Sequence, residues 1–402
     1  MLRVSTMFWK EKTFILLAII GTIPWIISFI LSYHYPPTIE ALLSGMAVIS
    51  AAFLLSWGAE TAEKDLPRSL SLAIVALIAV LPEYAVDMYF TWMAGKVGGE
   101  YIHYAAANMT GANRLLLGIG WSLVAIVAML KLRKREIELD EGIRLEFFIL
   151  FLASIYCFII PIKGEISLID TLILVSMFLL YIYSATKAER EEFEAVGVPA
   201  YLCCFPTRKR RISVIFLLLF SGSVILISVE AFAEGLVASA RVFGIDEFLM
   251  VQWIAPLASE APEFIVAVYF VRKLRTTASF NTLISSKVNQ WTLLVGCLAL
   301  IYSISLASPS ALPLDERQRE EFLLTAAQSL LGVAVIINLR FSIFEALALL
   351  GLFLAQFVYQ SVEMRYLLSF IYIAIAVPAL YVHRREIVKS YFFVLELLRN
   401  KR

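Results

Sequence analysis

Seven acids lie in or beside apolar stretches of this chain: Glu60, Glu83, Asp87, Glu230, Glu234, Glu260 and Glu263. A charge at bilayer depth costs at least ~2.5–3.5 kcal/mol on insertion scales, so idle acids are rare there. Carboxylates in such places suit hard cations such as Na+ and Ca2+, which take several oxygen ligands and need negative charge. Glu83 and Asp87 are four residues apart and Glu260 and Glu263 three, so each pair shares a helix face. Pro82, Pro256 and Pro262 remove backbone donors and free carbonyls one turn back, which a cavity-lining helix can turn toward a cation. Asn108, Thr110, Asn113, Ser259, Ser286, Asn289 and Gln290 add neutral oxygens. Two basic residues, Arg114 and Lys287, also fall inside apolar stretches.

Each of these residues also has a structural reading. Glu83 and Glu263 fit as protonated glutamates serving helix contacts, but their recurrence in both halves of the chain favours ligation. Asp87 and Glu260 suit ligation or pairing with Arg114 or Lys287. Glu60, Glu230 and Glu234 lie near the ends of their stretches, where a side chain reaches water cheaply. Asn113 and Asn289 suit interhelical hydrogen bonds as well as cations.

The elements that must position these groups are membrane helices. The chain has 402 residues, 60% hydrophobic and only 17% charged, with a net charge of +1. A soluble fold cannot hide that much apolar surface, and no bulk field draws an anionic polymer, so a soluble enzyme and a nucleic-acid-binding protein are excluded. Twelve stretches are long enough to span a bilayer core: 13–33, 39–63, 69–94, 104–130, 146–162, 167–185, 212–240, 246–271, 280–306, 322–338, 341–359 and 363–382. The first lacks a small-residue cleavage site and reads as a retained helix. With the N-terminus in the cytoplasm, the inner connections and both tails carry 26 Lys and Arg and the outer side 6, counting Arg365 at the outer end of the last stretch. That split obeys the positive-inside rule and puts both termini inside. Four cysteines in no metal-binding spacing, and three histidines near the ends of stretches, argue against disulfides and a histidine-built metal site.

The chain divides into a first half over 1–185, a cytoplasmic connection over 186–211 and a second half over 212–402. The connection holds an acidic run from Glu189 to Glu194, expected as a short solvated helix, and a basic run from Arg208 to Arg211, expected as a cytoplasmic anchor. The halves repeat one pattern, over about 39–130 and about 212–306. Gly58-Ala59-Glu60 answers to Ser228-Val229-Glu230, and Pro82-Glu83 to Pro262-Glu263. Thr110 and Ser286 stand three residues before Asn113 and Asn289, and Gly120 and Gly296 seven after them. The copies are five spans apart, an odd number, so they enter the membrane from opposite sides. Inverted repeats put a substrate site near the midplane, where the two copies meet. The expected fold is therefore an all-α, polytopic bundle of about twelve helices, with the proline-adjacent glutamates facing each other halfway through the lipid.

These motifs resemble the two alpha-repeats of the cation/calcium exchanger superfamily, whose best-known branch is the sodium/calcium exchangers. Each family repeat reads Gly-Ala-Glu, Gly-Thr-Ser-Leu-Pro-Glu, then Gly-Ser-Asn, an Asn or Asp, and an apolar run to Gly. Ala258 to Glu263 lies on the second element, Ser285-Ser286-Lys287 on the third, and Gln290 on the later Asn or Asp. The first repeat departs: Ile78-Ala79-Val80 replaces Gly-Thr-Ser, and Arg114 stands on the Asn or Asp. In the second repeat Lys287 stands on the Asn of Gly-Ser-Asn.

The resemblance implies a secondary-active cation antiporter with no cofactor, carrying Ca2+ and Na+ or H+ through a lipid bilayer such as a prokaryotic plasma membrane. Glu83 and Glu263 would be its central metal-binding carboxylates. Lys287 would stand in for a bound Na+ or carry the exchanged proton. Arg114 would neutralise an acid, with Asp87 and Glu83 as candidate partners, unless both cations face cytoplasmic water. Proton-coupled exchange is the nearest alternative, and a non-transporting scaffold on a degenerate exchanger fold a further one. An intramembrane aspartyl protease needs two membrane aspartates, and only Asp87 lies well inside a stretch.

Overall fold

Apolar runs bounded by capping residues decide where each helix begins and ends. The computed structural model describes residues 9–66, 78, 80–188, 195–359 and 361–399, and they are almost wholly helical. Twelve helices follow the twelve expected spans: α1 (Trp9–Ile30), α2 (Pro37–Ala62), α3 (Leu81–Lys96), α4 (Glu100–Leu132), α5 (Glu141–Lys163), α6 (Leu168–Ala185), α7 (Thr207–Phe243), α8 (Glu247–Arg272), α9 (Thr276–Leu306), α10 (Glu316–Ile336), α11 (Ile343–Val358) and α12 (Val362–Val382). A final helix, α13 (Arg384–Arg399), and a short one at Val198–Cys203 complete the set.

Among the described residues, nine of these are long and apolar enough to cross a membrane: α1, α2, α4 to α9, and α12. Helix α10 opens on Glu316, Arg317, Arg319, Glu320 and Glu321, which shortens its apolar run. Helix α11 has 16 residues. Most of the first half of the expected 69–94 span, and the acidic run at 189–194, lie outside the described residues. The basic run from Arg208 to Arg211 lies at the start of α7.

Side-chain caps mark several boundaries. Ser167 with Asp170, Asp315 with Gln318, and Ser342 with Glu345 form capping boxes at the starts of α6, α10 and α11. Gly164 (φ +76°) and Gly244 (φ +66°) end α5 and α7 in the left-handed conformation that a side chain disfavours.

The chain forms two compact units. The first comprises residues 1–89 and 190–262 and is built on α2 against α7. Small residues let these helices approach closely. A Cβ on Gly235 would lie 2.9 Å from the backbone N and Cα of Ala41, and one on Gly45 would lie 2.9 Å from the Phe232 ring. Just past the end of α2, Asp65 is gripped on both carboxylate oxygens by Arg210 of the first turn of α7 at 2.7 and 2.8 Å, and this hydrogen bonding holds the Asp65 carboxyl below its usual range.

The second unit comprises residues 90–189 and 263–402. Two antiparallel ribbons tie its connections together. The strand β1 (Glu136–Glu138) pairs with β4 (Arg340–Ser342), and β2 (Glu165–Ile166) with β3 (Leu312–Pro313). Within it, Gly118 lies against the Phe353 ring and Gly332 against Leu117, so α4 meets α10 and α11 with little between the backbones.

Replacing Gly235 by Ala should cost about 1–3 kcal/mol through overpacking against the Ala41 backbone. The melting temperature of the detergent-solubilised protein reads this directly. Gly222→Ala in the same helix, where a Cβ meets nothing within 4 Å, should leave it unchanged.

Candidate functional site

In the second repeat, Pro262 and Glu263 sit inside α8, where Pro256 and Pro262 interrupt the hydrogen-bond ladder. In the first repeat, α3 starts at Leu81, so Pro82 and Glu83 occupy a first turn. A first-turn proline loses no helical hydrogen bond, and the Tyr84 amide after it donates to the Val80 carbonyl at 3.0 Å. Glu263 therefore lies mid-helix, while Glu83 stands in a first turn.

The first unit contains Glu83, Asp87, Ser259 and Glu260, all buried. Ser259 Oγ donates to the carbonyls of Ala255 and Pro256, both at 3.2 Å, which leaves its lone pairs available as acceptors. Glu234 is half-buried and accepts a hydrogen bond from Tyr89 Oη at 2.8 Å.

The second unit contains Glu263 and the polar groups of α4 and α9. Glu263 is half-buried, and its Oε2 is enclosed without a hydrogen bond. Asn108, Thr110, Asn113, Ser286, Asn289 and Gln290 are all buried. Thr110 bonds back to the Ala106 and Ala107 carbonyls at 2.8 and 3.2 Å. Asn108 is fully buried, and neither its oxygen nor its nitrogen has a protein partner. Such a group bears a desolvation cost of about 1–3 kcal/mol unless something else satisfies it.

Lys287 joins the two repeat helices. Its ammonium is fully buried and donates to the backbone oxygen and to Oδ1 of Asn113, both at 2.9 Å. It also lies over the Trp291 ring, 5.0 Å from the centroid. The Asn113 amide nitrogen donates to the Met109 carbonyl at 3.0 Å. The oxygen that the sequence offers to a mobile cation is thus engaged by a tethered one.

Both helices change pitch beside this contact. The π-helical segment Leu116–Trp121 starts three residues after Asn113, and Gln290–Leu294 starts directly after Asn289. Single π turns inside α-helices recur at functional sites. Their matching positions are a symmetry that composition and spacing did not reveal.

Within the second unit Arg114 forms an ion pair with Glu321 of α10, an acid outside the repeat motifs. Its guanidinium also donates to Gln356 Oε1 at 2.8 Å, and Gln328 donates to its carbonyl at 3.3 Å. Arg365 of α12 is likewise buried, where the sequence count set it among the outer connections, and it pairs with Glu320 at 2.9 Å and with Glu321. Two guanidinium groups therefore face two carboxylates inside the second unit. The reading of Arg114 and Lys287 as facing cytoplasmic water fails, since both are buried. The sequence reading missed Glu320, Glu321, Gln328, Gln356 and Arg365 because they lie outside the repeat motifs. The one available signal was the placing of Glu320 and Glu321 at the head of a span.

Among the described residues, no three His, Cys, Asp or Glu side chains gather as a metal-holding group. A cation bound here would need neutral oxygens to complete its shell. Those present on α4, α8 and α9, chiefly amides and hydroxyls, suit a hard cation in type.

Comparison with known proteins follows this geometry. The profile of the family described as "Sodium/calcium exchanger protein" matches residues 38–187 and 213–362, once over each repeat. A crystal structure of the H+/Ca2+ exchanger CAX is 61% identical, covering 97% of this chain and 99% of that one, with a TM-score of 0.95. Structures of the sodium-calcium exchanger NCX_Mj are more distant; one is 16% identical over 80% of this chain and 98% of that one, with a TM-score of 0.54, a likeness of fold. Comparison with curated proteins gives no match. The repeats, their membrane helices and these matches agree, and the chain belongs to the sodium/calcium exchanger protein family.

Proposed function

We propose that this chain is a proton-coupled Ca2+ antiporter that works by alternating access. Lys287 is the observation that carries the proton coupling. A fixed ammonium occupies an oxygen-rich position that a sodium-coupled exchanger could use for a mobile cation. A site with built-in positive charge holds fewer mobile cations, because like charges in a low-dielectric interior repel strongly. The 61% identity to a protein described as an H+/Ca2+ exchanger supports the same reading, against the Na+-driven exchange that the motifs first suggest.

In this reading Glu83 and Glu263 are the central carboxylates. Asp87 and Glu260 lie on the same helices and tune their charge. Ser259, Asn108, Thr110, Ser286, Asn289 and Gln290 are the pool of neutral ligands. Asn108 is the strongest of these, since its buried amide has no protein partner. One Ca2+ or two protons bring a pair of carboxylates to the same net charge. Either load lets the helices move through lipid, whereas bare carboxylates meet the cost of burying charge. That condition couples the two fluxes without a separate gate. Arg114 is matched by Glu321 and stays protonated, so it is a fixed counter-charge and not a proton carrier. The 26-to-6 division of basic residues supports cytoplasmic termini, and a prokaryotic plasma membrane suits the chain.

Three measurements in proteoliposomes check this. An imposed pH gradient should drive Ca2+ uptake with no Na+ present, and uptake that needs a Na+ gradient would replace the reading with sodium coupling. Glu83→Gln and Glu263→Gln should each reduce exchange at least ~100-fold, a loss typical of removing a charged ligand, while size-exclusion profiles stay unchanged. Full exchange in both variants would remove these residues from the mechanism. Lys287→Ala should alter the pH dependence of uptake or the ratio of ions exchanged, and no change in either would relieve Lys287 of its proposed role.

A further inference from the structure

Helix α13 starts one residue after α12, with only His383 between them. A helix that follows a membrane span so closely must begin at the bilayer surface. One side of α13 packs on its own unit through Ser390 and Val394, which are buried. Arg144 of α5 holds the near end by donating to the Glu386 carboxylate at 2.9 Å, and Lys187 holds the far end by donating to the Leu398 carbonyl at 3.3 Å. The helix is therefore fastened at both ends, lying against the protein.

Its other side is largely exposed and apolar along one stripe, although Tyr391 also touches the Phe148 ring of α5. Val388, Tyr391 and Phe392 are 51%, 46% and 60% exposed. This stripe continues the exposed apolar surface at the end of α12, formed by Val377, Tyr381 and Val382. Beside it stand Arg384, Arg385, Lys389 and Arg399, all exposed. The acids balance them only in part: Glu386 pairs with Arg144 and with Lys389, leaving Glu396 as the exposed acid beside Arg384, Arg385 and Arg399. An apolar stripe edged by basic residues, held at the bilayer surface, fits an interface of acyl chains and anionic headgroups.

We propose that α13 is an interfacial helix seated in an anionic leaflet, with Val388, Tyr391 and Phe392 in the acyl edge and Arg385, Lys389 and Arg399 on lipid phosphates. It makes the second unit responsive to lipid charge. The proposal is independent of which ions are exchanged.

The test is spin labelling of the full-length protein in vesicles, with the exposed Cys204 replaced by serine. A label at Phe392→Cys should be accessible to oxygen and shielded from a water-soluble nickel chelate. In phosphatidylcholine vesicles, adding phosphatidylglycerol should raise the seated fraction at position 392. Arg385→Gln and Arg399→Gln should each lower the seated-to-free ratio about fivefold in the phosphatidylglycerol vesicles, as expected for one charge at an anionic surface. A label at position 392 that is aqueous in every vesicle would overturn the proposal. So would seating that ignores phosphatidylglycerol, or dipolar broadening between two labels, which would assign the stripe to a second copy of the chain.

Discussion

A lysine ammonium in the middle of an apolar helix must find oxygen, and in this protein Asn113 supplies it twice, from its backbone and from its side chain. The contact ties the α9 helix of one repeat to the α4 helix of the other, next to the π turn in each. Truncating Asn113 would take one of its oxygens from a buried ammonium, and removing Lys287 would take the donor from a buried amide oxygen, each at more than the cost of an ordinary hydrogen bond. Both repeat helices are therefore held in register by chemistry at the same place where the family motif would put mobile cations.

The second unit continues this arrangement with Arg114, Glu321, Arg365 and Glu320, which draw α4, α10 and α12 together. Buried ion pairs are weak evidence for net stability, because desolvation offsets much of the attraction. Their geometry is nevertheless specific: Glu321 meets two guanidinium groups from different helices, and Gln328 and Gln356 hold Arg114 from two more directions. In lipid few other groups could satisfy these side chains, so the pairing fixes which helices neighbour one another.

The first unit is built on close helix contact. Gly235 and Gly45 bring α2 and α7 together, and Arg210 in the first turn of α7 grips Asp65 just past the end of α2. Glu83, Asp87 and Glu260 are buried in this unit as well, so close packing and buried charge occur together in it.

Much of this was written in the sequence. The membrane spans follow from the cost of exposing polar backbone to lipid, which forces helices of a set length. The repeats follow from the recurrence of Pro-Glu and of the hydroxyl–Asn–Gly spacing, and α13 lay beyond both signals as a polar tail with a hidden apolar stripe. What the sequence could not decide was partner choice. Arg114 had acids nearby in its own repeat, yet Glu321, about two hundred residues away, takes it. Asn113 had the spacing of a cation ligand, yet Lys287 engages its oxygen. Lateral packing within the bilayer determines these pairings, and hydropathy and charge counts record only depth and side.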